Sequence, residues 1–404
     1  MTRAAIDPGV STSDQTAPNP IGRPHDPIRQ VDVWLGEEEL GFLSRAISER
    51  WITEGHHATA FATAIREFAK TDYMVFAPNG TLGLYLGLLV LDLPRGSEIL
   101  IPSFTFYGSA AAAVFAGLKP VFVDCYPDTF NIDIEDLESK VTPSTSAIMP
   151  VHVYGQICDM DGVLAVARKY KLKVIEDAAQ AFGVHFNGRH AGTFGDVGVF
   201  SFFSDKSIAM GEGGALFFQS EILYERARML RNQGRANSGT FEHPELGMNF
   251  RITDLQAGIG RAQFAKFPQI REHRLNLWKQ SCRLLNGLGD IKLMKVHPNS
   301  EVIPFRIPIT TDHKAALQSY LNSQGIETRN FFYPMHLQPR LRADPPESLP
   351  VSERLTNTGL CLPVHHNISE AALGYICDCI QAFFQDKPGN KETPGMIDRP
   401  MFAG

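Results

Sequence analysis

The stretch MVFAPNGTLGLYLGLLVL, residues 74–91, decides the fold class of this chain. It begins as a short apolar strand, passes through the polar turn at residues 78–81, and continues as a helix that is apolar on nearly all sides. A helix with that pattern is buried instead of lying on the surface. Backbone N–H groups at the start of such a helix are free to bind an anion.

Further short apolar runs predict inner strands of a sheet. They span residues 98–103, 120–124, 147–155 and 173–180, and helix-like segments such as 159–171 lie between them. Strands and helices that alternate at this spacing predict an α/β fold, with a mostly parallel sheet covered on both faces. Ligands of such sheets bind at the carboxyl ends of the strands. The predicted rim carries residues 79–81 and 103–106, Asp177 and Lys206.

The 404-residue chain is longer than one core usually fills, so we expect two lobes. We predict a large α/β domain over residues 31–264 and a smaller C-terminal α+β domain over residues 265–385. Residues 1–30 are rich in Pro, Ser, Thr, Asp and Gly, which predicts a flexible tail. Residues 386–404 are predicted to be a loose C-terminal end.

Composition excludes several classes of partner. The net charge of −6 supplies no basic field for nucleic acid and no polybasic stripe for a membrane surface. No apolar run has the length of a membrane span, and the N-terminus has no signal-peptide core. The six cysteines are scattered, which indicates reduced thiols and a cytoplasmic protein. The pairs His56–His57 and His365–His366 lack spaced partners for zinc, so no metal site is predicted.

Two charged residues of the rim point to chemistry. Lys206 lies in SFFSDKSIAMGEGG, residues 201–214, between aromatic side chains and a glycine-rich loop. Asp177 ends the apolar strand KVIED, where a carboxylate is partly buried and needs a cationic partner. Two simpler interpretations stay open: Asp177 caps a helix, or it pairs directly with Lys206.

One ligand, pyridoxal 5′-phosphate, accounts for both residues together. Its aldehyde condenses with a lysine amine, and its ring nitrogen works best when a carboxylate keeps it protonated. Its phosphate needs N–H groups at a helix start and hydroxyls, which Gly80, Thr81 and Ser201 offer. Its flat ring needs an aromatic face, which the segment PSFTFYG offers with Phe104, Phe106 and Tyr107.

With these residues the chain resembles nucleotide-sugar aminotransferases of the fold-type I, pyridoxal-phosphate-dependent superfamily. The resemblance covers residues 51–369 and is carried, in the family's order, by NGTLGL, IPSFTF, PVFVDCYPDTFNID, PVHVYGQICDMDG, VIEDAAQAFG, GDVGVFSFFSDKSIAMGEGGAL and LGMNFRITDLQAGIG. It implies a seven-stranded, mostly parallel sheet between helices, with a smaller C-terminal α+β domain. It also implies a homodimer with shared active sites, which could assemble further.

The resemblance assigns a role to each matching position. Lys206 bonds covalently to the cofactor and moves the proton, and Asp177 meets the ring nitrogen. The other cofactor-binding positions are Gly80, Thr81 and Ser201 at the phosphate, Phe106 on the ring, Gln180 near its phenolic oxygen, and Asn249 at the phosphate of the neighbouring subunit. For Asn249 a loop-capping amide is the alternative. Pyridoxamine phosphate is implied as the form that carries the amino group.

The segments TRNFFYPMHLQP, residues 328–339, and GLCLPVHHNIS, residues 359–369, resemble perosamine synthases. This resemblance implies transfer from L-glutamate to C4 of a GDP-linked 4-keto-6-deoxy sugar. The candidate substrate contacts are Trp51, Thr53, Arg251, Arg329 and His336; a loop salt bridge or a packed side chain is the alternative for the last three.

Three departures from the perosamine synthase pattern keep other acceptors open. Asp205 stands where asparagine is usual, Asn330 where proline is usual, and Glu54 with two histidines where smaller residues are usual. A different keto sugar, a different nucleotide or a cyclitol ketone therefore remains possible. A pyridoxamine-dependent sugar dehydratase is disfavoured because such relatives carry histidine in place of Lys206. A non-enzymatic regulator would need an effector or DNA-binding module that neither the tail nor the charge supplies.

Overall fold

The computed structural model describes residues 26–385, except positions 238, 240, 344 and 346. The helices are α1 Glu37–Ser48, α2 His56–Ala69, α3 Gly80–Leu91, α4 Tyr107–Phe115, α5 Ile134–Ser139, α6 Met160–Tyr170, α7 Glu221–Arg231, α8 Asp254–Leu285, α9 Lys314–Ser323, α10 Pro350–Thr358 and α11 Glu370–Gln385. The strands are β1 Tyr73–Ala77, β2 Glu98–Pro102, β3 Lys119–Val123, β4 Thr145–Ile148, β5 Lys173–Asp177, β6 His185–Phe186, β7 Arg189–His190, β8 Val197–Ser201, β9 Gly214–Phe218, β10 Lys292–Leu293, β11 Ile307–Thr310, β12 Arg329–Asn330 and β13 Gly359–Leu362.

A seven-stranded sheet forms the centre of the large lobe, in the order β1-β9-β8-β5-β4-β2-β3. The strands from β8 to β3 pair in parallel, whereas β9 runs antiparallel to both of its neighbours. Its central strands are buried on both faces, which explains why they read as continuous apolar runs in the sequence. The predicted mostly parallel α/β sheet is confirmed.

Helix α3 packs on this sheet at very short range, as its all-round apolar pattern predicts. A Cβ on Gly83 would lie 2.8 Å from Val199 Cγ1, and a Cβ on Gly87 would lie 2.8 Å from Ile175 Cδ1. Gly83 and Gly87 lie four residues apart on one face of the helix, and their lack of side chains lets the helix backbone approach β8 and β5. This approach fixes where the first turn of α3 meets the carboxyl end of β8.

A four-stranded antiparallel sheet, β10-β11-β13-β12, lies in the second lobe. Helices α9 and α11 pack there, and α8 runs from contacts with α1 and α2 to contacts with α11. The predicted boundary at residue 264 therefore falls inside α8, a single helix shared by both lobes. The division into domains at that residue stays a prediction.

The predicted N-terminal tail extends too far along the chain. Ile28 is buried and forms a backbone bridge with Ile326. Gln30 is buried beside the four-stranded sheet of the second lobe. Residues 26–30 are thus part of the folded protein, because one apolar side chain and a set of hydrogen bonds fix them despite their polar composition. The rest of that predicted tail, residues 1–25, and the predicted loose end, residues 386–404, lie outside the described residues. Among the helices that are described, none is long and apolar enough to cross a membrane.

Candidate active site

Lys206 lies in the loop that follows β8, with its side chain mostly buried. Its Nζ lies 3.4 Å from Asp205 Oδ1 and 3.9 Å from the centre of the Phe305 ring. Burial lowers the pKa of the Lys206 amine, the Asp205 carboxylate opposes that shift, and the Arg306 guanidinium adds to it. A lysine in this environment can lose its proton more readily than one in water.

Asp177 ends β5 and is 6% exposed. One carboxylate oxygen accepts a hydrogen bond from Ser109 Oγ at 2.7 Å, and the other accepts one from the Ala179 N–H at 3.1 Å. Burial raises the pKa of Asp177, while these two donors and the Lys206 charge oppose the shift. The carboxylate is thus held in place by the protein, and a cationic ligand at the site would keep it ionised.

The start of α3 adjoins the end of β8. A Cβ on Gly80 would lie 2.9 Å from Ser201 Cβ, so any other residue would push the helix start and the strand apart. A Cβ on Gly108 would lie 2.7 Å from Thr81 Oγ1 and 3.3 Å from the Phe106 ring. The structure therefore brings together Gly80, Thr81, Ser201 and Phe106, as the sequence predicts. They form a small cradle of N–H and hydroxyl groups beside an exposed aromatic ring.

Gln180 is fixed in the loop after β5. Its Oε1 accepts a hydrogen bond from the Tyr154 N–H at 2.8 Å. Tyr154 has a left-handed backbone, with φ of 54°, and its ring packs in the core. The amide of Gln180 is therefore oriented by the protein, three residues beyond Asp177.

Trp51 and Thr53 lie together in an exposed segment before α2. The indole N–H of Trp51 donates to the Glu54 carbonyl at 3.2 Å, and its ring is 56% exposed. Thr53 forms an antiparallel bridge with Thr253, at the start of α8. Both predicted substrate residues thus lie next to the segment that carries Asn249 and Arg251.

Asn249 and Arg251 also contact one another through the backbone. Asn249 Oδ1 accepts from the Arg251 N–H at 3.2 Å, and Arg251 Nη1 donates to Asn232 Oδ1 at 2.8 Å. Gln256 links this segment to the glycine-rich loop after Lys206, by donating to the Glu212 carbonyl at 2.9 Å. The Asn249 contact agrees with its alternative role as a loop cap.

Arg329 and His336 differ in exposure. Arg329 is exposed on β12, where it is opposite Cys361. His336 is 2% exposed, with its Nδ1 at 2.7 Å from Ser103 Oγ and its Nε2 at 3.2 Å from Glu353 Oε1. Both ring nitrogens are engaged inside the protein, so these contacts favour a packed side chain for His336.

The structure brings together a cluster of two histidines and a glutamate, a possible set of metal ligands that the sequence spacing does not predict. Potential ligand atoms of Glu49, His56 and His57 lie within 4.8 Å of one another. Arg261 Nη1 is 2.8 Å from His57 Nδ1 and burial lowers the pKa of His57. The nearby guanidinium opposes the binding of a cation, so the group supplies no argument for a metal.

Three features of the site region are not among those predicted from the sequence. The ion pair of Asp205 with Arg306 joins residues 101 positions apart, and no local pattern signals it. Ser109, which fixes Asp177, could have been noticed as the single serine of an alanine-rich helix. Asp254 accepts from three backbone N–H groups within residues 55–58 and so holds the segment that carries Trp51.

The fold and the site together define an aminotransferase of fold-type I: a buried lysine and a buried carboxylate at the carboxyl edge of a mostly parallel sheet, beside a helix start. The chain belongs to the DegT/DnrJ/EryC1/StrS aminotransferase family, whose model matches residues 34–381. The predicted family and enzyme class are confirmed.

Named relatives match over nearly their whole length. The GDP-perosamine synthase of Escherichia coli O157:H7 is 32% identical over 368 residues, which cover 89% of this chain and 99% of the relative. The GDP-perosamine synthase of Caulobacter vibrioides is 35% identical over 349 residues, which cover 83% and 93%. Among solved structures, DesV of S. venezuelae in complex with a ketimine intermediate has a TM-score of 0.86 at 29% identity, over 90% of this chain and 100% of that one.

Proposed function

We propose that the protein is a pyridoxal-phosphate-dependent aminotransferase that moves an amino group from L-glutamate to the C4 keto carbon of a nucleotide-linked 4-keto-6-deoxy sugar. The observation that carries the proposal is the rim on which the Lys206 amine, the Asp177 carboxylate and the cradle at the start of α3 lie together. Its support in sequence is the 31–35% identity to three GDP-perosamine synthases.

The residues of the rim fit pyridoxal phosphate. The close approach of Gly80 to Ser201 brings the start of α3 next to the Ser201 hydroxyl. The N–H groups of α3, Thr81 and Ser201 would together bind the phosphate. Lys206 would hold the group covalently. When bound, this cofactor supplies a carbonyl carbon that accepts and returns an amino group, and a ring that stabilises negative charge on the adjacent carbon.

Lys206 acts as nucleophile and as acid and base in turn. Burial lowers the pKa of its amine, so a larger fraction is neutral and nucleophilic near neutral pH. With the cofactor bound, the Lys206 amine would be the group that takes up the proton of the donor's α-carbon and returns it. With the keto sugar, Lys206 would move a proton in the reverse direction.

Asp177 would keep the ring nitrogen of a bound cofactor protonated. Its carboxylate is buried and held by Ser109 and Ala179, so it cannot turn away from the rim without losing both hydrogen bonds. A buried carboxylate gains from a cationic partner, and a protonated ring nitrogen is such a partner. Phe106 would stack on the ring, and Gln180 would face its phenolic oxygen.

The acceptor side is assigned to the segment of Trp51 and Thr53, with Arg251 beside them and Arg329 as an exposed cation that suits a diphosphate. The names of three relatives, all GDP-perosamine synthases, favour a GDP-linked sugar, and the C4 position rests on the resemblance of residues 328–339 and 359–369 to perosamine synthases. Glu54 departs from the perosamine synthase pattern, and its carboxylate accepts two hydrogen bonds from Arg231 Nη2, at 2.9 and 2.8 Å. Another keto sugar or a cyclitol ketone is the alternative acceptor.

The proposal includes a homodimer with shared active sites. Large apolar side chains are exposed around the rim: Trp51 at 56%, Phe106 at 61%, Met248 at 54% and Leu246 at 95%. Two of these, Leu246 and Met248, come just before Asn249, the residue proposed to reach the phosphate of the neighbouring subunit. A second copy of the chain would cover them. Light scattering on the purified protein measures this directly, and a monomer that is fully active would contradict it.

An absorption spectrum with and without L-glutamate tests the function. The protein with bound pyridoxal phosphate should show a band near the visible edge, which glutamate shifts to shorter wavelength and a GDP-linked 4-keto-6-deoxy sugar restores. Lys206→Ala is the control: it should bind the cofactor without the covalent bond and lose amino transfer. Normal turnover by Lys206→Ala would refute the assignment. A band indifferent to glutamate would refute the donor, and a band that only other ketones restore would refute the acceptor.

A further inference from the structure

A buried ion pair lies directly beside Lys206. Arg306 Nη2 donates to Asp205 Oδ2 at 2.6 Å, and both side chains are less than a tenth exposed. The other oxygen of the carboxylate, Asp205 Oδ1, has no hydrogen-bond partner and lies 3.4 Å from Lys206 Nζ. One oxygen of Asp205 is thus fixed by an arginine, and the other faces the lysine.

Arg306 is itself held by the N-terminal segment. Its Nη1 donates to the Gln30 carbonyl at 3.0 Å and to Gln30 Oε1 at 2.9 Å. Gln30 Nε2 donates in turn to the Cys361 carbonyl at 2.9 Å, in β13. The guanidinium also lies 4.6 Å from the centre of the Phe305 ring, the same ring that Lys206 contacts. The position of Asp205 is therefore set from the second lobe.

We propose that Asp205, clamped by Arg306, is a positioning residue for Lys206: its free oxygen anchors the Lys206 ammonium, and Arg306 limits how tightly Asp205 retains the proton on that amine. The proposal rests on the proposed function in one respect, that Lys206 is the reacting amine. An unclamped carboxylate at this distance would favour the charged amine strongly, and a lysine without a carboxylate would lose its anchor.

The charged groups around Lys206 act in opposite directions. Asp205 and, more weakly, Asp177 favour the ammonium form, whereas burial and Arg306 favour the neutral amine. Two further arginines, Arg274 from α8 and Arg329 from β12, carry positive charges that repel the charge of Arg306. Burial lowers the pKa of Arg274 to about 10, with Arg306 as a further cause.

Two substitutions should therefore shift the pKa of Lys206 in opposite directions. Asp205→Asn removes the attraction and leaves Arg306 unbalanced, so the pKa of Lys206 should fall by about one pH unit or more. Arg306→Gln removes the repulsion and leaves Asp205 free to attract the proton, so the pKa should rise by a similar amount. The double variant should lie between the two.

The pKa can be measured on the full-length chain, dialysed free of carbonyl compounds, by competitive labelling with acetic anhydride over a pH series. Mass spectrometry of the peptide that contains Lys206 gives its midpoint, and Lys119, which pairs with Glu98 at 3.0 Å on the surface, serves as internal reference. Asp196→Asn is the matched control, because it removes a carboxylate from Lys173, 2.7 Å away, and should leave Lys206 unchanged.

The signs of the shifts decide the outcome. Opposite shifts of the Lys206 midpoint in Asp205→Asn and Arg306→Gln support the proposal. Midpoints equal to that of the parent chain, or shifts in the same direction, would overturn it. If Asp205→Asn does not fold, Arg306→Gln and Arg306→Lys decide, since only the first removes the positive charge and should raise the midpoint. The measurement needs no cofactor or substrate, so its failure leaves the proposed function untouched. If the shifts appear in a chain that transfers no amino group, the proposed function fails, and what stands is the control of the Lys206 charge by Asp205 and Arg306.

Discussion

Gly80→Ala is the substitution for which the structure gives the most definite expectation. The new Cβ would lie 2.9 Å from Ser201 Cβ and 3.4 Å from Ser201 Oγ. Carbon atoms normally stay about 3.5 Å or more apart, so the start of α3 and the end of β8 must separate by roughly half an ångström. Ser201 cannot move freely because its backbone pairs with Gly214 in β9.

Two terms set the change in the free energy of unfolding. Crowding of a packed site costs about 1–3 kcal/mol. Alanine instead of glycine in a helix recovers up to about 1 kcal/mol. The net destabilisation is therefore about 0–3 kcal/mol, and the protein still folds. The effect on phosphate binding is larger: loss of one hydrogen bond to a charged group, about 1.5–3 kcal/mol, weakens binding about 10- to 150-fold.

The assay combines urea unfolding of the cofactor-free chain with a titration of pyridoxal phosphate followed by absorption. Gly41→Ala is the control, because Gly41 lies on an exposed face of α1 and a Cβ there meets no atom within 4 Å. It should stabilise the chain by about 0.5–1 kcal/mol and leave the affinity unchanged. A Gly80→Ala variant that binds pyridoxal phosphate as tightly as the parent would refute the cradle.

Three further predictions concern charge. Asp177→Asn should lower the rate of amino transfer about 10²- to 10³-fold in stopped-flow half-reactions, because an amide cannot keep the ring nitrogen protonated; an unchanged rate would exclude Asp177 from that role. Asp254→Ala leaves three backbone N–H groups without their acceptor, should cost about 2–4 kcal/mol of unfolding free energy, and should speed proteolysis near Trp51; resistance equal to the parent would contradict it. Burial lowers the pKa of His190 from 6.5 to about 3, so between these values the unfolded chain binds the extra proton and stability falls as the pH falls. The slope from this group is at most about 1.4 kcal/mol per pH unit, urea unfolding at several pH values should show it, and His190→Gln should flatten it.

Much of the arrangement of the site could be predicted because its residues lie where strands end and helices begin. In parallel α/β sheets the carboxyl ends of the strands share one edge. Asp177 at the end of β5, Ser201 at the end of β8 and Gly80 at the start of α3 therefore had to come close once the strands were recognised. Strand lengths were less predictable: the apolar run 147–155 forms a strand only up to Ile148, because Pro150 cannot donate to a ladder.

His336 shows the limit of motif reasoning. Its segment resembles one that lies near a substrate, yet the side chain is buried between Ser103 and Glu353. Exposure depends on what the rest of the chain packs against a residue, and the two partners of His336 come from two other segments, one of them 233 positions away. The same holds for Gln30, which looks like part of a polar tail and is fixed by Arg306 and Cys361.

The sequence by itself determined the alternation of strands and helices and the buried helix α3, since these follow from periodicity. It also predicted Lys206 and Asp177 as the reacting pair, from their chemistry and from the family motifs around them. Only the tertiary structure decided what surrounds the lysine. Asp205 precedes Lys206 in the chain, but Arg306 reaches it from the second lobe. The balance of charges at the amine depends on distances between segments that are far apart in sequence, and a pattern along the chain carries no record of such distances.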